Sequence, residues 1–143
     1  MVQSEYILGL DYGQKRIGVA LAHGTVRLPR PLTTLVHTPT VLDEIRAIVD
    51  REHVKLIVVG LPRSMDGEVH AQGERVQQFA TELAAHVSVP IELADETLTS
   101  VQAEQILTER AGGKIPAKEA IDAMSAALIL ERYFDEYQMG QSA

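Results

Sequence analysis

Four carboxylates in this chain stand where an acid can do more than hydrate a surface. Asp11 ends the apolar run Ile7-Leu8-Gly9-Leu10, and a second run, Ile17 to Leu21, follows after the turn Tyr12-Gly13-Gln14-Lys15-Arg16. Side chains alternate along a strand, so Asp11 shares a face with Ile7 and Gly9, and Gly18, Ala20 and Ala22 are equally small on one face of the second run. A carboxylate among small residues at a strand end has room beside it for a metal ion or a phosphate. Asp95 and Glu96 close another short apolar run, Pro90 to Ala94. Asp122 lies early in a C-terminal helical pattern, with Ser125, Ala126 and Ile129 on its own face. Ordinary roles compete for each residue: Asp opens turns, and an acid in a first helical turn complements the helix dipole. Gathered at one place, however, Asp11, Asp95 or Glu96, and Asp122 repel one another unless neutralised. Their hard oxygen donors suit Mg²⁺ or Mn²⁺, with no sulfur or imidazole for a softer metal. Two such ions about 3.5–4 Å apart can activate a water and stabilise the leaving oxygen in phosphodiester cleavage.

The elements that must position these acids follow from periodicity. The first two runs read as a hairpin, and Thr25 to Val36 as a third strand interrupted by Pro29 and Pro31, which places it at an edge. Short connections make these three an antiparallel meander. Thr38-Pro39 has the form of a helix cap with proline in the first turn, and Val41, Leu42, Ile45, Ile48 and Val49 follow at helical spacing. Leu56 to Gly60 is a β-branched run without alternation, the pattern of a parallel strand covered on both faces. A loop, Leu61 to Gly67, leads to a helix with Val76, Phe79, Ala80, Leu83, Ala84 and Val87 as its apolar stripe. The fifth strand ends at Asp95-Glu96. Thr99 with Gln102 has the capping-box pattern and opens a helix that stops at Gly112-Gly113. Lys114 to Lys118 links it to a last helix from about Ala117 to Tyr137. The order β-β-β-α-β-α-β-α-α is an α/β fold, a meander followed by βαβ crossovers. Residues 1–138 read as a single domain and 139–143 as a frayed tail. Ligands of open α/β sheets sit outside the carboxyl ends of the strands, which is where Asp11, the loop after Gly60, and Asp95-Glu96 fall.

With 143 residues, 45% of them hydrophobic, the chain can bury a core without cross-links. It has no cysteine, hence no disulfide framework or thiolate metal site. No apolar run reaches membrane-spanning length, and the N-terminus lacks the layout of a secretory signal, so a cytoplasmic location is expected. The formal charge of −7 counts against a uniformly basic nucleic-acid binder. Net charge is not local charge: Lys15, Arg16, Arg27, Arg30 and Arg63 all lie in the N-terminal half, and acids such as Glu119, Glu131, Asp135 and Glu136 in the C-terminal part.

Six blocks occur in order: Leu10-Asp11-Tyr12-Gly13-x-x-Arg16-Ile17-Gly18-Val19-Ala20, Val59-Gly60-Leu61-Pro62, Met65-Asp66-Gly67, Val76-x-x-Phe79-Ala80, Asp95-Glu96-x-Leu98-Thr99-Ser100 and Asp122-x-x-Ser125-Ala126. Together they span nearly the whole chain and resemble the YqgF family (RuvX type), nucleases of pre-16S ribosomal RNA that are also described as Holliday-junction-resolvase-like. The resemblance implies a ribonuclease H-like fold, a five-stranded mixed sheet with three antiparallel strands and then two parallel ones, flanked by helices. It also implies metal-dependent phosphodiester hydrolysis in processing the 5′ end of pre-16S rRNA, or alternatively in resolving branched DNA. Asp11 then takes the first-strand catalytic position, Asp95-Glu96 the second and Asp122 the last-helix position. Asp11, Glu96 and Asp122 are the expected metal ligands, with Glu96 preferred over Asp95. The family usually reads Asp-Glu-Arg at the end of the fifth strand. This chain has Thr97 there, and so lacks a guanidinium that could hold a phosphate through paired hydrogen bonds.

Lys15, Arg16 and Arg63 are the expected contacts to a nucleic-acid backbone, with Lys15 or Arg63 able to substitute for the missing arginine. His23, His37, His53, His70 and His86 share no spacing and read as loop or surface residues; His70 alone falls near the expected site, where it could move a proton. Met65 reads as a packing residue, and Thr99 and Ser100 as a cap. A binding module for ribosome assembly is the rival to a nuclease, separable by whether binding survives chelation without cleavage. Actin-like kinases also set an Asp-x-Gly hairpin against phosphates, but they need a second lobe that 143 residues do not supply. A resolvase would need two symmetry-related sites, whereas a trimming nuclease works alone, so both monomer and homodimer stand as expectations.

Overall fold

Leu56 to Gly60 lies in an interior strand of the sheet, and its alternate side chains enter two different cores. Ile57 and Val59 pack with one cluster, and Val58 with Leu56 at its margin packs with the other. A strand covered on both faces has no wet side to carry polar residues, which is why the run shows no alternation. The computed structural model describes residues 5–62, 67–96 and 99–141. Along these the elements are β1 (Tyr6–Asp11), β2 (Arg16–His23), β3 (Arg30–Val36), α1 (Val41–Arg51), β4 (Val54–Leu61), α2 (Gly67–Ala84), β5 (Ile91–Asp95), α3 (Thr99–Arg110) and α4 (Lys118–Gln141). The sheet order is β3-β2-β1-β4-β5. β1 and β2 pair antiparallel, as do β2 and β3, and β4 runs parallel to both β1 and β5. The carboxyl ends of β1, β4 and β5 therefore lie along one edge.

Helices α1 and α2 cover one face over Leu8, Leu10, Ile17, Val19 and Leu21. The other face meets α3 and α4 through Ala20, Ala22, Val58 and Ala94 against Ala103, Met124, Ala126, Ala127, Ile129, Leu130 and Phe134. Small residues on this second face let α4 approach closely. Gly18 marks the tightest point: a Cβ built there would stand 1.9 Å from the Asp122 carbonyl oxygen. The α4 backbone thus rests on β2 where Asp122 begins.

Several boundaries differ from the sequence reading. Strand β4 begins at Val54 rather than Leu56, and α2 ends at Ala84, so Val87 of the expected helical stripe packs on the core from just beyond the helix. The third strand begins at Arg30 rather than Thr25, because residues 24–27 form a turn around His23. Its Nδ1 accepts from the backbone amides of Thr25 (3.1 Å) and Val26 (3.3 Å), and Arg27, in left-handed conformation, donates its amide to the His23 carbonyl. Helix α1 starts at Val41, so Pro39 lies in the preceding turn, and Thr40 makes no side-chain cap. The last helix starts at Lys118 and continues past Tyr137 to Gln141. Among the described residues no helix is long and apolar enough to cross a membrane.

Candidate active site

Asp11 is the last residue of β1 and pairs across the hairpin with Gly18, which turns its side chain toward α4. Glu96 follows β5 directly, its amide donating to the Leu61 carbonyl at the end of β4. Its side chain crosses the sheet edge over Gly60, where a Cβ would come within 2.8 Å of Glu96 Oε2 and 2.9 Å of its Cβ. The glycine clears the way for this carboxylate to reach Asp11. The two acids hydrogen-bond with each other. Burial pushes Glu96 up to about 9, and the charges of Asp11 and Asp95 act in the same direction, while Arg132 opposes them. Burial likewise raises Asp11, opposed by its hydrogen bonds with Glu96 and Ser125; the nearby Asp122 charge raises it further. Two carboxylates this close in a poorly solvated site resist ionising together.

Asp122 is brought to the same edge, but its carboxylate is engaged elsewhere. Arg16 Nε, at the start of β2, donates to Asp122 Oδ2 at 2.7 Å. That ion pair raises the arginine further above its usual range. Asp95 has Arg132 Nη1 of α4 4.0 Å from its Oδ1 and 3.4 Å from its carbonyl oxygen. The guanidinium missing at residue 97 thus has a counterpart at the fifth-strand end, supplied by α4. Lys15 is exposed in the hairpin turn, its side chain without a partner among the described residues. Arg63, Met65 and Thr97 lie outside the described residues. His70 is exposed on α2 and has no hydrogen bond among the described residues.

Two residues matter more than their types suggested. Ser125 is fully buried, and its hydroxyl donates to Thr99 Oγ1 at 2.7 Å besides meeting Asp11. Thr99 Oγ1 in turn donates to the Glu96 carbonyl at 3.1 Å. The threonine expected to act as a helix cap instead ties α3 and α4 to the strand end that carries Glu96. The signal in the sequence was Ser125 itself, a polar residue at i+3 from Asp122 on an otherwise apolar helix face.

The donor set suits a hard divalent cation in its chemistry: a half-buried pair of carboxylates with every donor an oxygen. Among the described residues, however, no three acids or histidines come together as a complete ligand set, since Asp122 faces Arg16. The arrangement offers two adjacent ligands and a third on an arginine alongside.

Sheet order, mixed strand directions and carboxylates at the shared strand edge define a ribonuclease H-like α/β domain. Solved structures with this fold include RuvC of Thermus thermophilus in complex with a Holliday junction substrate, with TM-score 0.57 at 15% identity over 94% of this chain and 96% of that one. A second RuvC structure from the same organism aligns with TM-score 0.51 at 13% identity, over the same shares of the two chains. Residues 5–136 match the family model RuvX, described as Holliday junction resolvase. A relative from Chloroflexus aggregans is 41% identical over 136 residues, covering 94% of this chain and 96% of its own. One from Synechococcus elongatus is 42% identical over 133 residues, covering 90% and 88%. Both carry the provisional name pre-16S rRNA nuclease. The chain belongs to the RuvX family.

Proposed function

We propose that this chain is a metal-dependent nuclease that hydrolyses phosphodiester bonds in precursor ribosomal RNA, at the 5′ end of pre-16S rRNA, in the cytoplasm. The observation that carries the reading is the half-buried, hydrogen-bonded Asp11–Glu96 pair at the strand edge, where Gly60 leaves room for the Glu96 side chain. Packing two acids together without a cation is unfavourable, and a site of this kind is a functional signature. Asp11 and Glu96 would hold Mg²⁺ or Mn²⁺, with Asp122 as the third ligand. When bound, such an ion supplies Lewis-acid polarisation of the phosphate and a nucleophilic water. Glu96 gives up its proton in becoming a ligand, and Ser125 keeps Asp11 oriented. Asp95, held by Arg132, shapes the field at Glu96 rather than ligating. Lys15, with Arg16 and Arg63, steers the phosphate backbone. The names of the relatives support precursor rRNA as substrate.

A second reading is cleavage of four-way DNA, favoured by the family description and by the solved junction complex of similar fold. It requires a homodimer with two sites, whereas trimming of RNA needs one copy. The test incubates the protein with labelled precursor RNA and with four-way DNA, in Mg²⁺, Mn²⁺ or chelator. Cleavage is expected with metal only, and Asp11→Asn should lower it by on the order of 10³-fold while the fold is retained. The preferred substrate decides between the two readings. Equal cutting by the Asp11→Asn protein would refute the assignment of the site, and binding without cleavage in any metal would favour an assembly module.

A further inference from the structure

Tyr12 follows Asp11 and points to the opposite face of the sheet, where it packs at the margin of the core under α1 and α2. There it meets Phe79 at 5.0 Å between ring centroids and His37 at 5.4 Å, while His37 and Phe79 stand 6.3 Å apart. The three rings open on a cavity of about 180 Å³ whose other walls are Arg75, Gln78 and Glu82 of α2. Sites for drug-sized ligands occupy roughly 300–1,000 Å³; this one has the size of a single heterocycle. Resting on the nuclease reading, we propose that the cavity is a subsite for one unpaired nucleobase of the bound strand, on the far side of the β1 end from the acid pair.

The composition of the walls favours that occupant. Aromatic faces take any base by stacking, and sequence-selective contacts to single strands add hydrogen bonds along a base edge. Arg75, Gln78 and Glu82 recur at helical spacing and offer donors and an acceptor at the rim. The Gln78 amide and the Tyr12 hydroxyl have no hydrogen-bond partner among the described residues. Placement favours it too. Asp11 and Tyr12 are consecutive at the end of β1 and project to opposite faces, so a strand that wraps this end meets the acid face and then the ring face. Exposed Lys15 lies in the turn between. The pocket is also fixed to the catalytic hairpin. The His37 amide donates to the Lys15 carbonyl at 2.9 Å, its Nδ1 bonds the Gly13 carbonyl at 2.9 Å, and Gln72 Nε2 donates to the Tyr12 carbonyl at 3.4 Å. These bonds tie the walls of the cavity to the hairpin that carries Asp11.

The experiment measures binding of short single-stranded RNA and DNA oligonucleotides to the full chain in chelator, replacing one base at a time by an abasic site. One position should lose about tenfold in affinity, and the protein carrying both Arg75→Ala and Gln78→Ala, two exposed positions at the rim, should show a smaller loss at that same position. Sensitivity in either series supports the subsite, and the series showing it names the strand. A scan with no sensitive position, or sensitivity undiminished in the double variant, overturns it. Because the scan is run without metal, that result leaves the nuclease reading to its own cleavage test, and loss of cleavage chemistry would leave the subsite standing.

Discussion

On the face covered by α1 and α2, β1 and β2 present Leu8, Leu10, Ile17, Val19 and Leu21; on the face covered by α4, the same strands present Gly9, Gly18, Ala20 and Ala22. Large branched side chains keep α1 and α2 at a distance and bury apolar area, which is stability with no chemistry in it. Absence of side chains draws the α4 backbone onto the sheet, and with it Asp122 and Ser125 onto Asp11. The difference shows how one sheet separates its tasks. The first face holds the fold, and the second gives up packing volume so that Asp11 meets Glu96 and Ser125, with the Asp122–Arg16 ion pair alongside.

Substitutions on the two faces should therefore fail in different ways. Ile57→Ala, in the core under α1 and α2, should cost about 2–5 kcal/mol in urea unfolding, while the folded fraction keeps its metal affinity and cleavage rate. Gly18→Ala adds a single carbon on the other face, yet that carbon would meet the Asp122 carbonyl at 1.9 Å. A loss of about 3 kcal/mol is expected, accompanied by lost metal binding as α4 is pushed off. If Gly18→Ala left both unchanged, the close approach of α4 would not be what positions the site. Ser125→Ala should cost about 1–2 kcal/mol by leaving the Thr99 and Asp11 contacts unmade, and Ser125→Thr should recover less than the wild-type cleavage rate because the added methyl has no space.

The acid pair also makes stability depend on pH. The folded-state value of Glu96, about 9, lies above its ordinary 4.5, so the native protein binds the proton more tightly than the unfolded chain. Stability from this group is complete below 4.5 and is lost as pH rises toward 9, at no more than about 1.4 kcal/mol per pH unit. Melting temperature in chelator should thus decline through the neutral range, and Glu96→Gln, which keeps a donor toward Asp11, should flatten the decline. A wild-type melting temperature that rose over this window would mean that burial does not hold Glu96 protonated.

Much of this arrangement could be read from sequence because it rests on local pattern. Strand and helix order, the covered interior strand, and small residues beside Asp11 are all consequences of periodicity and residue size. That Glu96 rather than Asp95 meets Asp11 was not legible from the strand end alone. It depends on Gly60 leaving space for Glu96 and on Arg132 standing beside Asp95, and both partners come from distant elements. Arg16 was expected to meet phosphate because it follows Asp11 in the hairpin, but its nearest anion is Asp122, contributed by α4. Thr99 matched a cap pattern, while its hydroxyl is used in a contact with Ser125 that only the packing of α3 on α4 creates. Turn geometry was likewise hidden at Thr25 to Arg27, where a histidine ring replaces the strand's ladder.

The most direct test of the account is calorimetric titration of Mn²⁺ near neutral pH, in two buffers of different ionisation enthalpy, with the wild type and Asp11→Asn. Binding to the wild type should release about one proton, from Glu96, and Asp11→Asn should abolish both binding and release. Binding that released no proton, or that survived loss of the Asp11 carboxylate, would contradict the claim that this half-buried acid pair is the metal-holding centre.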